Sequence, residues 1–276
     1  MLRGISIVLL LLLLYRPAEA RRSWSQCIVS ERPVDRGVLL SAFTTRFSSR
    51  HVRRAANVRL SARAMDGVTI PPGGLFSYNK IVGPRSEAAG FRLAPAIDRG
   101  KKVDRWGGGV CQPSSTLYAA ALLGGMTIVD RRPHTWQSKY IAKGLDATVV
   151  WGRKDLVLRN PWNFPVRLSV EVAETQITVR LIGERPREGW VTVQTRQTKQ
   201  HEFETDVEVD SELGPNDMLV MITGIPGARV ERSRTFHRPG KPPAREPLPS
   251  DTYYPRDALV RIGEGTPDVP VSRAAQ

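Results

Sequence analysis

Thiols are scarce in this chain, with two cysteines, Cys27 and Cys111, in 276 residues. Two cannot make a disulfide-rich scaffold or a four-cysteine zinc site. The four histidines fall into no metal-ligand spacing, and no glycine loop carries the lysine of a phosphate-binding motif. Long apolar runs are nearly missing too. The one that exists, Ile5 to Leu14, covers about half of the ~20 residues that span a bilayer, which excludes a multi-span membrane protein. Acidic residues are in deficit, 27 against 41 lysines and arginines, for a net charge of +14.

Apolar residues make up 41% and charged residues 25%, ordinary proportions for a globular chain and too rich in apolar groups for a wholly disordered one. Glycine (23) and proline (21) are plentiful, so turns are frequent. Arg3, the apolar run and the Ala18-Glu19-Ala20 ending form the three parts of a signal peptide, with cleavage expected after Ala20. The mature protein is then secreted or extracytoplasmic and associated with the cell wall, touching the membrane only transiently through its leader. Export argues against nucleic acid as the partner of so basic a protein. The polyanions met outside a bacterial cell are peptidoglycan-linked wall polymers, which a strongly positive protein approaches favourably.

Periodicity gives the coarse organisation. A helix is expected over Asn57 to Met65, stopped by Asp66-Gly67, and a short strand over Leu75 to Tyr78 after Pro71-Pro72-Gly73-Gly74. Ala94 to Ile97 and Lys101 to Val103 flank Asp98-Arg99-Gly100 as a hairpin. A helix follows from Gln112 to Leu123, with Pro113 in its first turn and Gly124-Gly125 at its end. The period then changes to two. Thr127 to Val129, Ala147 to Trp151, Leu156 to Leu158, Val166 to Val172 and Gln176 to Ile182 read as strands, as do Trp190 onward, Arg229 to Phe236 and Ala258 to Ile262.

The segment Gly107-Gly108-Gly109-Val110-Cys111-Gln112 carries the chemistry. The glycines permit close backbone approach, by a ligand among other things. They lead into a helix N-terminus, where unpaired N–H groups and the helix dipole favour a thiolate. Backbone N–H groups from Val110 to Gln112 are placed to hold an oxyanion. A thiolate enzyme also needs a base and a group to orient it. His134 leaves a strand 23 residues after Cys111, and Asp146 opens the next strand. Three readings of Cys111 stand side by side here: a nucleophile, a small buried hydrophobe, and a disulfide with Cys27.

These residues, with Ser41-Ala42-Phe43-Thr44-Thr45-Arg46-Phe47, Asn57-Val58-Arg59-Leu60, Pro72-Gly73, Phe76-Ser77-Tyr78-Asn79, Val82-Gly83-Pro84-Arg85, Gly90-Phe91, Arg132-Pro133-His134, Asp146-Ala147-Thr148-Val149 and Arg159-Asn160, resemble the VanW family over Leu39 to Val172. Two positions depart from the family pattern: Pro113, and Arg131 where an acidic residue or a spacer is common. The region around 214–263 is similar to the glycine-five accessory domain that follows many VanW domains. The resemblance implies a cell-envelope role linked to peptidoglycan or glycopeptide response, and implies no particular reaction.

The expected fold class is α+β: a few helices on a mostly antiparallel sheet, then a small all-β unit. The expected parts are a signal peptide (1–20), an N-terminal segment (21–38), a VanW-like domain (39–184), a β accessory domain (190–264) and a disordered tail (265–276). Two functions compete. The preferred one is non-catalytic binding of peptidoglycan or an anionic wall polymer. The other is a cysteine-dependent hydrolase or acyltransferase on wall peptides, with Cys111 as nucleophile, His134 as base and acid, and Asp146 as orienter. Gly107, Gly108, Gly109, Gln112, Ser114, Ser115 and Asn79 are the candidate ligand contacts. No metal and no cofactor is expected.

Overall fold

The computed structural model describes residues 37–98 and 101–266. The expected signal peptide, most of the N-terminal segment with Cys27, the Arg99-Gly100 part of the hairpin turn and nearly all of the tail lie outside these residues.

Helix α1 (Val52–Met65) buries Ala55, Val58, Ala62 and Met65, a helical spacing that puts all four on one face. It starts five residues before the expected Asn57, because the charged Arg53 and Arg54 on its first turn hide its apolar period. Gly67, at φ 78°, turns the chain out of it. Ser77 caps the short helix α2 (Tyr78–Val82) by accepting from the Lys80 N–H at 3.1 Å. Helix α3 (Cys111–Leu123) is buried on every side from Gln112 to Leu122, so it forms the centre of the molecule. A Cβ on Gly124 would lie 2.5 Å from Leu181 Cδ1, so the end of α3 rests directly on the neighbouring sheet.

Fifteen strands appear among the described residues, in five sheets. The first, β1 (Val38–Arg46), β9 (Gln176–Gly183), β8 (Val166–Val172) and β2 (Thr69–Ile70), pairs antiparallel in that order beside α3 and α1. The second joins β3 (Leu75–Ser77), β7 (Val157–Arg159) and β6 (Thr127–Asp130), and β4 (Leu93–Asp98) with β5 (Lys101–Trp106) makes the expected hairpin. Further on, β10 (Trp190–His201), β13 (Gly227–His237) and β14 (Ala244–Tyr253) form a long antiparallel sheet. The last sheet is β11 (Thr205–Val209), β15 (Ala258–Ile262) and β12 (Met218–Ile222), with β11 and β15 parallel. Pro247 and Pro249 fit in β14 because it is an edge strand.

The chain is thus α+β and rich in β structure, with its strands spread over several small sheets rather than one. One core joins Met65, Ile70, Phe76, Tyr78, Leu117, Tyr118, Leu158, Leu168 and Leu181, and Val193 and Leu248 of the third sheet pack against it. Two local expectations are corrected. The strand at Leu75 ends at Ser77, since Tyr78 opens α2. Ala147 to Trp151 is not a strand; its alternating residues lie in an irregular segment tied to α3 and to Arg132, with a single bridge from Val150 to Lys154. Among the described residues no helix is long and apolar enough to cross a membrane.

Candidate functional site

Cys111 is the first residue of α3, a free and partly exposed thiol whose Sγ lies 3.6 Å from the Val149 carbonyl oxygen. The turn that delivers it is packed shut. A Cβ on Gly107 would meet Arg85 Cγ at 2.6 Å, one on Gly108 the Ala94 carbonyl oxygen at 2.1 Å, and one on Gly109 Arg54 Cγ at 2.7 Å. The three glycines therefore admit protein atoms, not a ligand, at the positions their side chains would fill. The Val110 and Gln112 N–H groups are spent on the Gly107 and Gly109 carbonyls at 3.1 and 3.0 Å. This corrects the expectation that both face an oxyanion, and leaves the Cys111 N–H in that turn.

Residues from β6 onward bring the partners. His134 Nδ1 lies 2.6 Å from Asp146 Oδ2, and the His134 backbone N–H donates to the same oxygen at 2.6 Å. With Nδ1 so occupied, the other ring nitrogen, Nε2, is the one left for the interaction of His134 with Cys111. Cys111, His134 and Asp146, 35 positions apart in sequence from first to last, are thus brought together, with His134 hydrogen-bonded to Asp146 and close enough to Cys111 for each to shift the other's pKa. Tyr140 stands edge-on to the imidazole, with ring centroids 6.3 Å apart.

Asp146 is 1% exposed, and a bare carboxylate at that depth costs several kcal/mol. Its donors supply the compensation. Arg131 Nη2 donates to Oδ1 at 3.2 Å, Tyr253 donates its hydroxyl proton to the same oxygen, and Arg131 Nε holds the Asp146 carbonyl at 2.6 Å. Burial pushes the Asp146 carboxyl up, but His134, Arg131 and Tyr253 outweigh it and hold it well below the usual carboxylate range. Arg131, the departure from the family pattern, is therefore the counter-ion of the site; it also pairs with Asp251 at 2.5 Å and stacks 4.9 Å from the Tyr118 ring.

The charge reaches the thiol through the ring. Burial lowers the His134 pKa, but its bonds to Asp146 and Cys111 raise it to about 9. Burial likewise raises the Cys111 thiol, while the interaction with His134 and its charge, the Val149 backbone and the charge of Arg85 bring it below its ordinary value. The two shifts point the same way, toward a thiolate beside an imidazolium.

Sequence reasoning placed the other candidates differently. Gln112 is fully buried: its Nε2 donates to Thr45 Oγ1 and the Arg46 carbonyl at 2.9 Å, and its Oε1 accepts from Arg54 at 2.7 Å. Ser114 and Ser115 are buried too. Ser114 Oγ donates to the Ala147 carbonyl at 2.6 Å, and Ser115 Oγ accepts from the Ala147 N–H at 3.0 Å, so the pair fastens the Asp146 segment to the cysteine helix. Asn79 donates to the Lys154 and Val150 carbonyls at 2.8 and 3.2 Å and closes the loop that carries Trp151. Tyr253, Asp251 and Arg232 were missed. Arg232, 7% exposed, bonds Tyr118 Oη at 2.6 Å and the Gly144 carbonyl at 3.0 Å and pairs with Asp251. Among the described residues no group of His, Cys, Asp or Glu is arranged to hold a metal ion.

Fold and site together define a β-rich α+β protein with a cysteine, a histidine and a buried aspartate brought together at the start of a central helix. Residues 53–182 match the family described as VanW like protein, the family that the sequence resembles, and the matched stretch contains Cys111, His134 and Asp146. The uncharacterized protein YoaR of Bacillus subtilis is 40% identical over 132 residues, which are 48% of this chain and 44% of that protein. The vancomycin B-type resistance protein VanW of Enterococcus faecalis is 27% identical over 134 residues, 47% of this chain and 49% of that one. The chain thus spans about half the length of the curated relatives it matches. Two solved structures also match about a quarter of the chain: the G5 domain of an IgA1 protease, at 23% identity over 26% of this chain and 86% of that one with a TM-score of 0.20, and HP0197-G5, at 16% identity over 26% and 97% with a TM-score of 0.16.

Proposed function

We propose that this chain is an exported cell-envelope protein whose VanW-like domain performs acyl transfer or hydrolysis on peptides of peptidoglycan. One observation carries the reading: His134 links the partly exposed Cys111 thiol to a buried carboxylate that four donors keep ionised. A merely structural cysteine needs neither a charged imidazole nor a buried counter-ion. This reverses the preference for non-catalytic binding, which rested on the enzyme case leaning on one thiol.

In the proposed reaction the Cys111 thiolate attacks a carbonyl carbon, forming a C–S bond, with the Cys111 N–H donating to the oxyanion. The C–N or C–O bond breaks as the His134 imidazolium gives its Nε2 proton to the leaving group. Water or an acceptor amine then attacks the thioester carbonyl while His134 takes a proton from it, and the C–S bond breaks to release the product and the Cys111 thiolate. Asp146 holds Nδ1 throughout and keeps the ring in one orientation. Peptidoglycan or an anionic wall polymer is the proposed partner, which the net charge of +14 favours. The name of the Enterococcus relative supports a link to glycopeptide response. The test is to incubate the protein with soluble wall-peptide fragments and follow both partners by mass spectrometry. An acyl adduct on Cys111, or trimmed or joined fragments that vanish with Cys111→Ala, is the expected result; unchanged fragments and an unmodified thiol would sink the reading.

A further inference from the structure

Two arginines flank the turn that enters Cys111, and neither makes an ion pair among the described residues. The stem of Arg85 lies against Gly107 and that of Arg54 against Gly109. Arg54 spends Nη2 on the Gln112 side chain at 2.7 Å. Arg85 donates Nη1 to the Gly83 carbonyl at 2.6 Å, and its Nε and Nη2 are buried with no hydrogen-bond partner. Those two N–H groups form one edge of the guanidinium plane, the edge that grips a carboxylate with two parallel bonds. Leaving such donors buried and unmade costs about 1–3 kcal/mol, so a fold that keeps them there points to a ligand that takes them.

The surroundings fix the orientation of the fork. The guanidinium carbon is 5.4 Å from the Tyr78 ring centroid and 5.9 Å from that of Trp151, which holds the plane between a buried ring and one 48% exposed. Tyr78 Oη donates to the Val110 carbonyl at 2.9 Å, one residue before the thiol, and Trp151 lies two residues past Val149, whose carbonyl meets Sγ. Asp155, a carboxylate whose charge reaches Arg85, is occupied by Ser77 Oγ and by the Asn79 and Leu156 N–H groups at 2.5, 2.9 and 2.8 Å.

We infer that the Nε–Nη2 edge of Arg85 is a carboxylate-binding subsite beside Cys111, which makes the substrate of the proposed acyl transfer a peptide with a free carboxylate close to the scissile carbonyl. The inference rests on the reading of Cys111 as a nucleophile and deepens it by naming the substrate class. Arg54, on the other side of the glycine turn, adds positive charge near Cys111, whereas Arg85 supplies the planar recognition.

The test compares alkylation of Cys111 in the full chain by iodoacetate, which carries a carboxylate, and by neutral iodoacetamide. The ratio of the two rates cancels the reactivity of the thiol itself. Relative to the same ratio in urea-unfolded protein, the folded protein should favour iodoacetate by about tenfold, the worth of one hydrogen bond to a charged group. Both Arg85→Gln and Arg85→Lys should return the ratio to the unfolded value; a lysine variant that keeps it would show that charge alone acts and overturn the fork. In the wild type, where no variant can misfold, acetate should suppress the iodoacetate preference at lower concentration than inorganic phosphate. The reverse order would overturn the carboxylate assignment in favour of a phosphate site. A thiol that iodoacetamide modifies rapidly below pH 8, with an unfolded-like ratio, would refute the subsite and leave the nucleophile reading standing. A thiol inert to both reagents until unfolding would refute both.

Discussion

Replacing Asp146 with asparagine removes the charge on which the proposed thiolate depends while keeping the shape. In the native site the Asp146 carboxylate and the Cys111 group raise the His134 pKa to about 9 against the pull of burial. With asparagine the burial remains and the Arg131 cation, 3.2 Å from the former Oδ1, loses one of its two carboxylates. Both disfavour imidazolium, so His134 falls to or below its ordinary value of about 6.5. The shift of some two and a half units is worth about 3 kcal/mol. Cys111 then faces a neutral ring, and its thiol rises toward the ordinary range of a free cysteine. At pH 6.5 a thiol of ordinary pKa is only about 1% thiolate, so iodoacetamide alkylation should be slower in the variant than in the wild type, with the two proteins converging in alkaline solution. The assay is the alkylation rate from pH 5 to 9, beside an NMR titration of the His134 ring in each protein. Breaking a buried pair costs about 3–5 kcal/mol of stability, so circular dichroism must show the variant folded at the assay temperature. Wild-type and variant rates that agree at pH 6.5 in folded proteins would refute the electrostatic account of the site.

Three more predictions follow from the same contacts. Tyr253→Phe removes the hydroxyl that donates to Asp146 and accepts the Gly144 N–H at 2.7 Å; a buried N–H left unmade and a lost bond to a charge should cost about 2–4 kcal/mol in urea denaturation, and a loss under 0.5 kcal/mol would count against that role. Gly108→Ala places a methyl group 2.1 Å from the Ala94 carbonyl oxygen, whereas Gly67→Ala meets nothing within 4 Å and suffers only from its φ of 78°; the first should melt far below the second, which should lose only about 1 kcal/mol. The pH dependence of stability separates the paired groups. The raised His134 pKa contributes stability that is fully present below about 6.5 and is lost as pH rises toward 9. The lowered Cys111 pKa contributes stability that is present above the ordinary thiol range and lost as pH falls. Where the two windows overlap the contributions oppose each other in the wild type, because folding adds a proton at the imidazole and removes one from the thiol. In Cys111→Ala the histidine contribution stands alone, and stability should decline with pH across that window; parallel curves for the two proteins would refute the coupling.

What could be read in the sequence was local. A glycine run, a proline in the first turn and an alanine-rich stretch mark α3 and put Cys111 at its start because each acts within a few residues. His134 and Asp146 were found by chemical type, and their meeting depends on the Ser114 and Ser115 bonds to Ala147, which span 33 and 32 positions. Those serines look like ligand contacts in a list of residues and like fasteners once the bonds are drawn. The reading failed where one pattern fits two structures. Ala147 to Trp151 alternates as a strand does, yet its polar backbone groups go to α3 and Arg132. Strand β1 escaped notice because Ser41, Thr44 and Thr45 interrupt its apolar period, and each hydroxyl is matched across the fold, to the Ala120 carbonyl, Thr178 and Thr116.

The largest gap was the part played by the third sheet. Read from the sequence, residues 190–264 are an accessory unit that can anchor the protein while the chemistry proceeds elsewhere. The contacts do not allow that separation. Tyr253 and Asp251 lie on β14 and Arg232 on β13, and all three are buried. Through them Asp146 receives a hydroxyl proton, Arg131 gains its second carboxylate, and Tyr118 of α3 is bonded to a guanidinium. The Asp146–Tyr253 bond spans 107 positions, too far for any local pattern to announce it. Each of these groups is charged or bonded to a charge in a nearly dry setting, where removing one partner strands the others at a cost of several kcal/mol. The pKa that makes His134 a cation is therefore set partly by β14, and any force that shifts this sheet also acts on the protonation of the Cys111–His134 pair.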